Sequence, residues 1–92
     1  MGRRDEKAAN LVKELAAVFL ERENNSVSLI TVTRADVSSD LRNATVYISV
    51  LPEEQALEAL EFARRKRSDL RDYLKANMQV KNVPFVEIEI EK

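Results

Sequence analysis

The spacing of apolar residues along the chain changes from three or four residues to two, and back again. Near the start, the three- and four-residue steps predict one amphipathic helix from about Arg4 to Arg22. The polar run from Glu23 to Ser26 then ends the helix, because asparagine tolerates the left-handed conformation. The predicted apolar stripe is Ala8, Leu11, Val12, Leu15, Val18 and Phe19, and the predicted solvent-facing side is Glu6, Lys13, Glu14 and Glu21.

Two segments with a period of two follow this helix. Residues 28–37 are rich in β-branched side chains, and residues 43–51 alternate apolar with polar side chains. The pattern predicts two paired strands, each with one buried face, joined by the polar loop from Ser38 to Asn43. A third segment near the end predicts a final strand in which Val86, Ile88 and Ile90 alternate with Glu87, Glu89 and Glu91. The three glutamates are expected to project from this strand into solvent.

Helical spacing returns between the second and third strands. Pro52, followed by two acids, is typical of a helix start, because proline at the first helical position loses no needed donor. Ser68 and Asp69 predict a new N-cap for a third helix that ends at Asn77. The inward-facing residues predicted for these two helices are Ala56, Leu57, Leu60 and Ala63, then Leu70, Tyr73 and Leu74.

The element order α-β-β-α-α-β predicts an α+β fold. A three-stranded mixed sheet covered on one face by three helices buries every apolar stripe. The helical crossover before the last strand is long enough for that strand to lie parallel to a neighbour. This is the element order of a type II KH domain, a fold used mainly for RNA. Because 92 residues leave room for one core, we expect residues 1–92 to form one KH-like domain.

Composition excludes several kinds of site. The chain has no cysteine and no histidine, so it offers neither a disulfide framework nor the usual partners of a metal site or an acid–base pair. No P-loop motif is present. No apolar run approaches the roughly 20 residues that span a bilayer, and the first residues do not match the pattern of a signal peptide. We therefore expect a cytoplasmic protein without catalytic activity, cofactor or membrane contact.

Basic residues cluster at the predicted joint between the second and third helices. Residues 64–67 are all cationic, and Arg67, Arg71 and Lys75 follow at four-residue steps on one helical face. Arginine forks match phosphate oxygens bidentately, so the functional interpretation is a grip on RNA backbone. The alternative is a solvated helix surface neutralised by Glu58 and Glu61. Since the net charge is −1, any RNA contact must depend on such local clustering.

Other cations lie near the predicted strands. Arg34 and Arg42 flank the strand loop, and Lys81 precedes the last strand. These cations either extend the RNA-binding surface or pair with Asp36 and Asp40. Tyr47 either stacks on a base or lies under a neighbouring side chain. Since Gly2 is the only glycine, the GxxG clamp of a conventional KH domain is absent, which favours recognition of RNA shape and phosphate. The candidate RNA-binding residues are Arg34, Arg42, Arg64, Arg65, Lys66, Arg67, Arg71, Lys75 and Lys81.

Three segments, in order, resemble the ribosome-binding factor A family. The clearest is the loop and strand Ser38-Ser39-Asp40-Leu41-Arg42-Asn43-Ala44-Thr45-Val46-Tyr47-Ile48-Ser49-Val50, which is similar to that family's S-x-D-L-x-x-A-x-V-Y-x-S-V. The first helix resembles the family's through Arg4, Lys7, Ala9, Leu11, Glu14 and Leu15. The run from Met78 to Val86 resembles the basic and hydrophobic segment before the family's terminal strand. The likeness covers nearly the whole chain.

The resemblance implies a bacterial assembly factor that binds the small (30S) ribosomal subunit and its 16S rRNA. That role belongs to late maturation and to processing of the rRNA 5′ end, without chemistry of its own, and we expect a monomer. The chain departs from the family at Ser39, where proline is common, and at residues 66–68, where the family has an Ala-x-Gly kink. Since Ser68 reaches positive φ less readily than glycine, it puts the kink geometry in question. The alternative function is a KH-like protein-interaction module that binds another protein through its acidic last strand.

Overall fold

The computed structural model of this chain describes residues 3–23 and 28–91, with side chains in the first helix from residue 6 onward. The elements are α1 (Arg3–Arg22), β1 (Leu29–Val37), β2 (Asn43–Leu51), a 3₁₀ turn (Glu53–Gln55), α2 (Ala56–Arg65), α3 (Arg67–Asn77) and β3 (Phe85–Ile90). This confirms the predicted element order. The predicted break of the first helix at residues 24–26 lies outside the described residues.

The sheet is mixed, as predicted. Its strand order is β1-β2-β3, with β1 antiparallel and β3 parallel to the central strand β2. The register of β1 shifts between Val32 and Arg34, which leaves Thr33 as an extra residue. This bulge reverses the alternation, so Ile30 and Val32 are buried before it while Ala35 packs against the core after it. A strict period of two would have sent the second half of β1 to the wrong face.

All three helices contribute to one hydrophobic core against one face of the sheet. Its largest fully buried side chains are Leu20, Ile48, Leu70, Leu74, Ile88, Val12 and Val46. Burying a side chain of this size stabilises the fold by about 1.5–3 kcal/mol. The α+β architecture, with a three-stranded sheet on three helices, is the type II KH-like arrangement expected from the element order.

Two residues of the predicted apolar stripes are exposed instead. Val18 is 42% exposed and Leu57 is 68% exposed, so both predictions were wrong. Successive residues of an α-helix are about 100° apart, which places Leu57 to the side of a stripe centred on Ala59 and Ala63. The same geometry turns Val18 away from the core, and α1 buries Ala16 and Leu20 instead.

The starts of α2 and α3 differ from the sequence expectations. Pro52 has extended backbone (φ −73°, ψ 158°) and precedes the 3₁₀ turn, so it does not occupy the first helical position. The peptide bond between Leu51 and Pro52 is cis. α3 begins at Arg67, which places Ser68 inside the first turn and not at the N-cap. The predicted cap was wrong because Lys66 alone separates the two helices.

The joint between α2 and α3 needs no glycine. Lys66 has φ −96° and ψ 6°, a conformation that does not require the left-handed region. Its backbone N–H donates to the carbonyl of Ala63, and its own carbonyl accepts from the N–H of Leu70. The turn therefore forms with ordinary residues, which explains how residues 66–68 can differ from an Ala-x-Gly sequence.

Candidate RNA interface

Three of the predicted basic residues, Arg64, Arg67 and Arg71, lie beside β3, which is an edge strand of the sheet, or beside the segment just before it. Arg64 donates to the backbone of this strand, and Arg71 donates to the backbone just before it. Arg64 Nε donates to the carbonyl of Ile88 (3.2 Å), and Arg71 donates to the carbonyls of Val83 (3.1 Å, from Nη2) and Pro84 (3.3 Å, from Nε). The N–H groups of Phe85 and Glu91 point to β2, so the carbonyl of Ile88 lies on the free edge. Arg64 therefore covers an edge that would otherwise be open to another strand.

The glutamates of β3 neutralise part of this cluster. Arg67 Nη1 contacts both carboxylate oxygens of Glu87 (3.0 and 3.1 Å), and Arg64 Nη2 contacts Glu89 (3.4 Å). The third glutamate, Glu91, accepts from the side chains of Thr33 (2.9 Å) and Arg34 (3.1 Å). The prediction that these carboxylates project into solvent holds for Glu87 and Glu89, whose side chains are 59% and 50% exposed, but Glu91 is only 28% exposed. Tertiary packing brings them to cations that are between 20 and 57 positions away in the chain.

The acids that pair with the cluster are not the predicted ones. Lys66 pairs with Glu23, just after α1 (3.3 Å). Glu58 and Glu61, the acids expected to neutralise the cluster in the alternative interpretation, form no ion pair with it among the described residues. Arg64 and Arg67 are 38% and 42% exposed, so each of their pairs contributes only about 0–1 kcal/mol. Arg65 and Lys75 are exposed and have no ion-pair partner in the described part of the chain.

A second basic region lies where the strand loop meets the segment before β3. These two segments border a groove of about 700 Å³, which we call the loop groove; its lining includes Leu41, Arg42, Arg71, Val80, Lys81 and Phe85. Three predicted cations, Arg42, Arg71 and Lys81, therefore lie along one groove although they are distant in sequence. Asp40 is the acidic residue in its described lining.

The loop groove adjoins a smaller one along the helix joint. This joint groove has a volume of about 440 Å³ and is lined by Arg64, Arg65, Arg67, Ser68, Arg71, Phe85, Val86 and Glu87. Arg71 and Phe85 line both grooves, so the two form one continuous surface. Together they gather six of the nine predicted cations, namely Arg42, Arg64, Arg65, Arg67, Arg71 and Lys81.

Phe85 is the residue of this surface that sequence reasoning missed. Its side chain is 65% exposed, and the guanidinium carbon of Arg71 lies 4.5 Å from the centre of its ring. A signal was present in the sequence, because Phe85 shares its alternation with Glu87 and not with Val86. An aromatic side chain on the strand face that otherwise carries polar side chains is more typical of a contact surface than of the core.

The strand loop holds Arg42 in place through its own hydrogen bonds. Ser38 Oγ donates to Asp40 Oδ1 (2.6 Å), which also accepts from the backbone N–H of Arg42 (3.1 Å). Both bonds favour the ionised carboxylate, with the Ser38 bond the larger effect, and they lower the pKa of Asp40 below its ordinary value. Leu41 takes positive φ (62°) in the turn, and Ser38 Oγ accepts from the N–H of Asn43 (3.0 Å). This network explains Ser38 and Asp40, the two polar residues of the motif that lie in the loop.

Arg34 lies apart from both grooves. Its guanidinium lies 3.9 Å from the centre of the Tyr47 ring, on the sheet face turned away from the helices. It also pairs with Asp36 (2.7 Å) and Glu91 (3.1 Å). The structure thus shows the ion pair between Arg34 and Asp36 that the sequence offered as an alternative. It also shows Tyr47 under a neighbouring side chain. The ring of Tyr47 is thus covered by an arginine.

Residues 3–23 and 28–91 contain neither a metal-ligand cluster nor a membrane-spanning helix. No cluster of three or more His, Cys, Asp or Glu side chains in that part of the chain is placed to hold a metal ion. No helix within the same residues combines the length and the apolar character needed to cross a membrane.

A family model and individual relatives identify the family of this chain. The family model described as ribosome-binding factor A matches residues 3–92. Ribosome-binding factor A of Natranaerobius thermophilus is 33% identical over 88 residues, which cover 92% of this chain and 67% of that protein. Its counterpart in Chlorobaculum parvum is 36% identical over 91 residues, which cover 95% of this chain and 76% of that protein. The chain thus spans about two thirds to three quarters of these relatives.

Two structures with a similar fold carry the same family name. The crystal structure of ribosome-binding factor A from Thermus thermophilus superposes with a TM-score of 0.79 at 21% identity, covering 91% of this chain and 92% of that one. A homology model of the Thermus thermophilus factor, fitted into a cryo-EM map of a 30S complex, gives a TM-score of 0.73 at 22% identity, with 86% of each chain covered. These two likenesses establish the fold, and the sequence matches establish the family. This chain belongs to the ribosome-binding factor A family.

Proposed function

We propose that this protein binds the small (30S) ribosomal subunit by placing its basic grooves against the phosphate backbone of 16S rRNA. Its role would be to hold a near-mature rRNA conformation during late maturation and 5′-end processing, without catalysis, as a cytoplasmic monomer. The observation that carries the proposal is the convergence of six predicted cations on two adjoining grooves. The fitting of a related factor into a 30S complex supports the choice of partner.

The cations of the joint groove can act in two ways. Arg65 is exposed and has no ion-pair partner among the described residues, so it can bind phosphate directly. Arg67 and Arg64 hold Glu87 and Glu89, so a phosphate must replace a carboxylate at each of them. The exchange is possible because these ion pairs are solvent-exposed and weak.

This arrangement favours selective binding over indiscriminate binding. With a net charge of −1, the protein has no overall attraction for nucleic acid, and its glutamates compete with phosphate at the arginines. Only an RNA surface that presents phosphates at the matching spacing can replace both carboxylates together. Recognition would thus depend on the folded shape of the rRNA, in agreement with the absence of a GxxG clamp.

The experiment compares two double variants with the same net charge. Arg65→Gln with Arg67→Gln removes two cations of the joint groove, and Lys7→Gln with Lys13→Gln removes two exposed cations of α1 as a control. Glutamine keeps much of the side-chain length, and Arg64, which supports the β3 edge, stays in place. Co-sedimentation with purified 30S subunits in sucrose gradients is measured at several salt concentrations, with circular dichroism as a check of folding.

We expect weaker co-sedimentation for the groove variant alone. If both cations contact phosphate, the slope of log affinity against log salt becomes shallower by roughly 1.4–1.8, since each phosphate contact contributes about 0.7–0.9. Equal binding by the two variants would contradict the assignment of the joint groove. Binding of the unmodified protein that does not change with salt would favour the protein-interaction module instead.

A further inference from the structure

The exposed ring of Phe85 lies where the two grooves meet, and phosphate binding gives it no role. Phe85 is 65% exposed, and the guanidinium carbon of Arg71 lies 4.5 Å from the centre of its ring. Arg71 is itself fixed, because it donates to the carbonyls of Val83 and Pro84 immediately before β3. The ring is therefore held in a defined position while most of its surface stays open, which is the condition for a preorganised stacking platform.

The loop groove beside this ring has the size and charge of a nucleotide site. Its volume of about 700 Å³ lies within the range of roughly 300–1,000 Å³ that is usual for small-ligand sites. Three cations and one carboxylate line it, so its formal charge is +2. The carboxylate of Asp40 already accepts from Ser38 Oγ and the Arg42 N–H, so it is engaged within the loop.

We propose that the loop groove binds one unpaired nucleotide of the RNA, with its base stacked on Phe85 and its phosphate contacted by Arg42 and Lys81. Every base has a π face, so an aromatic platform binds unpaired bases with little dependence on sequence. The guanidinium of Arg71 then lies against the ring that carries the base. This inference deepens the proposed function and rests on it, because it assigns a subsite for an unpaired base next to a surface that contacts backbone.

A nucleotide fits this groove better than an apolar protein segment. The side chains of Arg42 and Lys81 are exposed and form no ion pair within the described residues, so an apolar partner would bury charges without compensating them. A nucleotide supplies an anion and an aromatic face in one unit, and the groove offers a partner for each. Base-paired RNA cannot use the platform, because its bases are stacked inside the helix.

The test introduces a fluorescent reporter at the platform. The chain has no tryptophan, so Phe85→Trp creates a single indole that keeps an aromatic face, and Leu57→Trp provides a matched reporter at an exposed position of α2 outside the grooves. The probes are single-stranded hexauridylate, the same strand with abasic ribose in place of every nucleoside, and an RNA duplex of equal length. Indole fluorescence is recorded during titration with each probe at low salt.

We expect hexauridylate to quench the indole introduced by Phe85→Trp in a saturable way, with much smaller changes for the abasic strand and the duplex. The indole introduced by Leu57→Trp should respond to none of them. In a parallel anisotropy titration, Phe85→Leu should weaken binding of labelled hexauridylate by roughly 5- to 150-fold and leave the abasic strand within about twofold. Phe85→Leu also decides the question if the tryptophan variant does not fold.

Two results would overturn the inference while the proposed function stands. One is equal affinity of the unmodified protein and Phe85→Leu for hexauridylate, with normal co-sedimentation with 30S subunits. The other is loss of 30S binding in Phe85→Leu without any change toward hexauridylate, which would mean that the groove contacts a protein. Failure of the unmodified protein to co-sediment with 30S subunits would instead refute the proposed function, and this readout is independent of the titrations.

Discussion

Under the proposed function, the glutamates of β3 compete with phosphate for the arginines of the joint groove, because they already pair with them. Replacing Glu87 and Glu89 together by glutamine should strengthen RNA binding and weaken the fold. Each glutamate pairs with one arginine, Glu87 with Arg67 at 3.0 Å and Glu89 with Arg64 at 3.4 Å. The double substitution breaks both pairs and leaves two guanidinium groups available to phosphate.

The magnitude follows from the exposure of these pairs. Their side chains are 38–59% exposed, and exposed ion pairs contribute about 0–1 kcal/mol each, so the two together contribute up to about 2 kcal/mol. RNA affinity should therefore rise by up to about 30-fold at low salt, since 1.4 kcal/mol corresponds to a factor of ten. The same loss in the free energy of unfolding should lower the melting temperature by up to about 8–16 °C.

The assay combines two measurements on the same protein samples. Fluorescence anisotropy with a labelled fragment of 16S rRNA gives the affinity, and thermal circular dichroism gives the melting temperature. The control is Glu14→Gln with Glu21→Gln, which changes the net charge equally but alters exposed residues of α1 away from the grooves. An affinity of the β3 variant equal to that of this control would refute the idea that carboxylates compete with phosphate at the grooves.

Two further predictions concern the loop and the joint. Asp40 has a lowered pKa in the folded state, so its contribution to stability is present above its unfolded-state pKa of about 4 and is lost as the pH falls through the lower folded value. Ser38→Ala should move the Asp40 pKa toward its ordinary value, measured by NMR titration of the side-chain carboxyl; an unchanged titration would contradict the assigned cause. Ser68→Gly should destabilise α3 by roughly 0.5 kcal/mol in denaturant unfolding, because Ser68 lies in a helical turn, whereas stabilisation would mean that the joint needs a left-handed residue.

The structure of the strand loop can be predicted largely from its local sequence. Ser38, Asp40 and Asn43 bond to each other or to backbone within five positions, so their spacing alone indicates an ordered polar turn. The alternation in β2 and β3 depends in the same way on neighbours, because the side chains of a strand point to opposite faces in turn. These elements were predicted with nearly correct limits.

Predictions failed where a position depended on distant packing. The rotation of α2, which exposes Leu57, follows from the 3₁₀ turn before it and from the sheet it covers. The bulge at Thr33 likewise reverses the faces of β1 without an obvious signal in the sequence. Periodicity shows that an element has an apolar side. It identifies the residues at the edge of that side only to within one or two positions.

The element order, the family and the set of cations can all be obtained from the order of residues in this chain, because periodicity, turn residues and composition are local properties. Which of those cations form a common surface, and which are neutralised, depends on the packed fold. Arg67 meets Glu87 across 20 positions, and Phe85 meets Arg71 across the connection between α3 and β3. Charges and rings interact through space over a few ångströms, and the fold alone determines which distant residues come within that range.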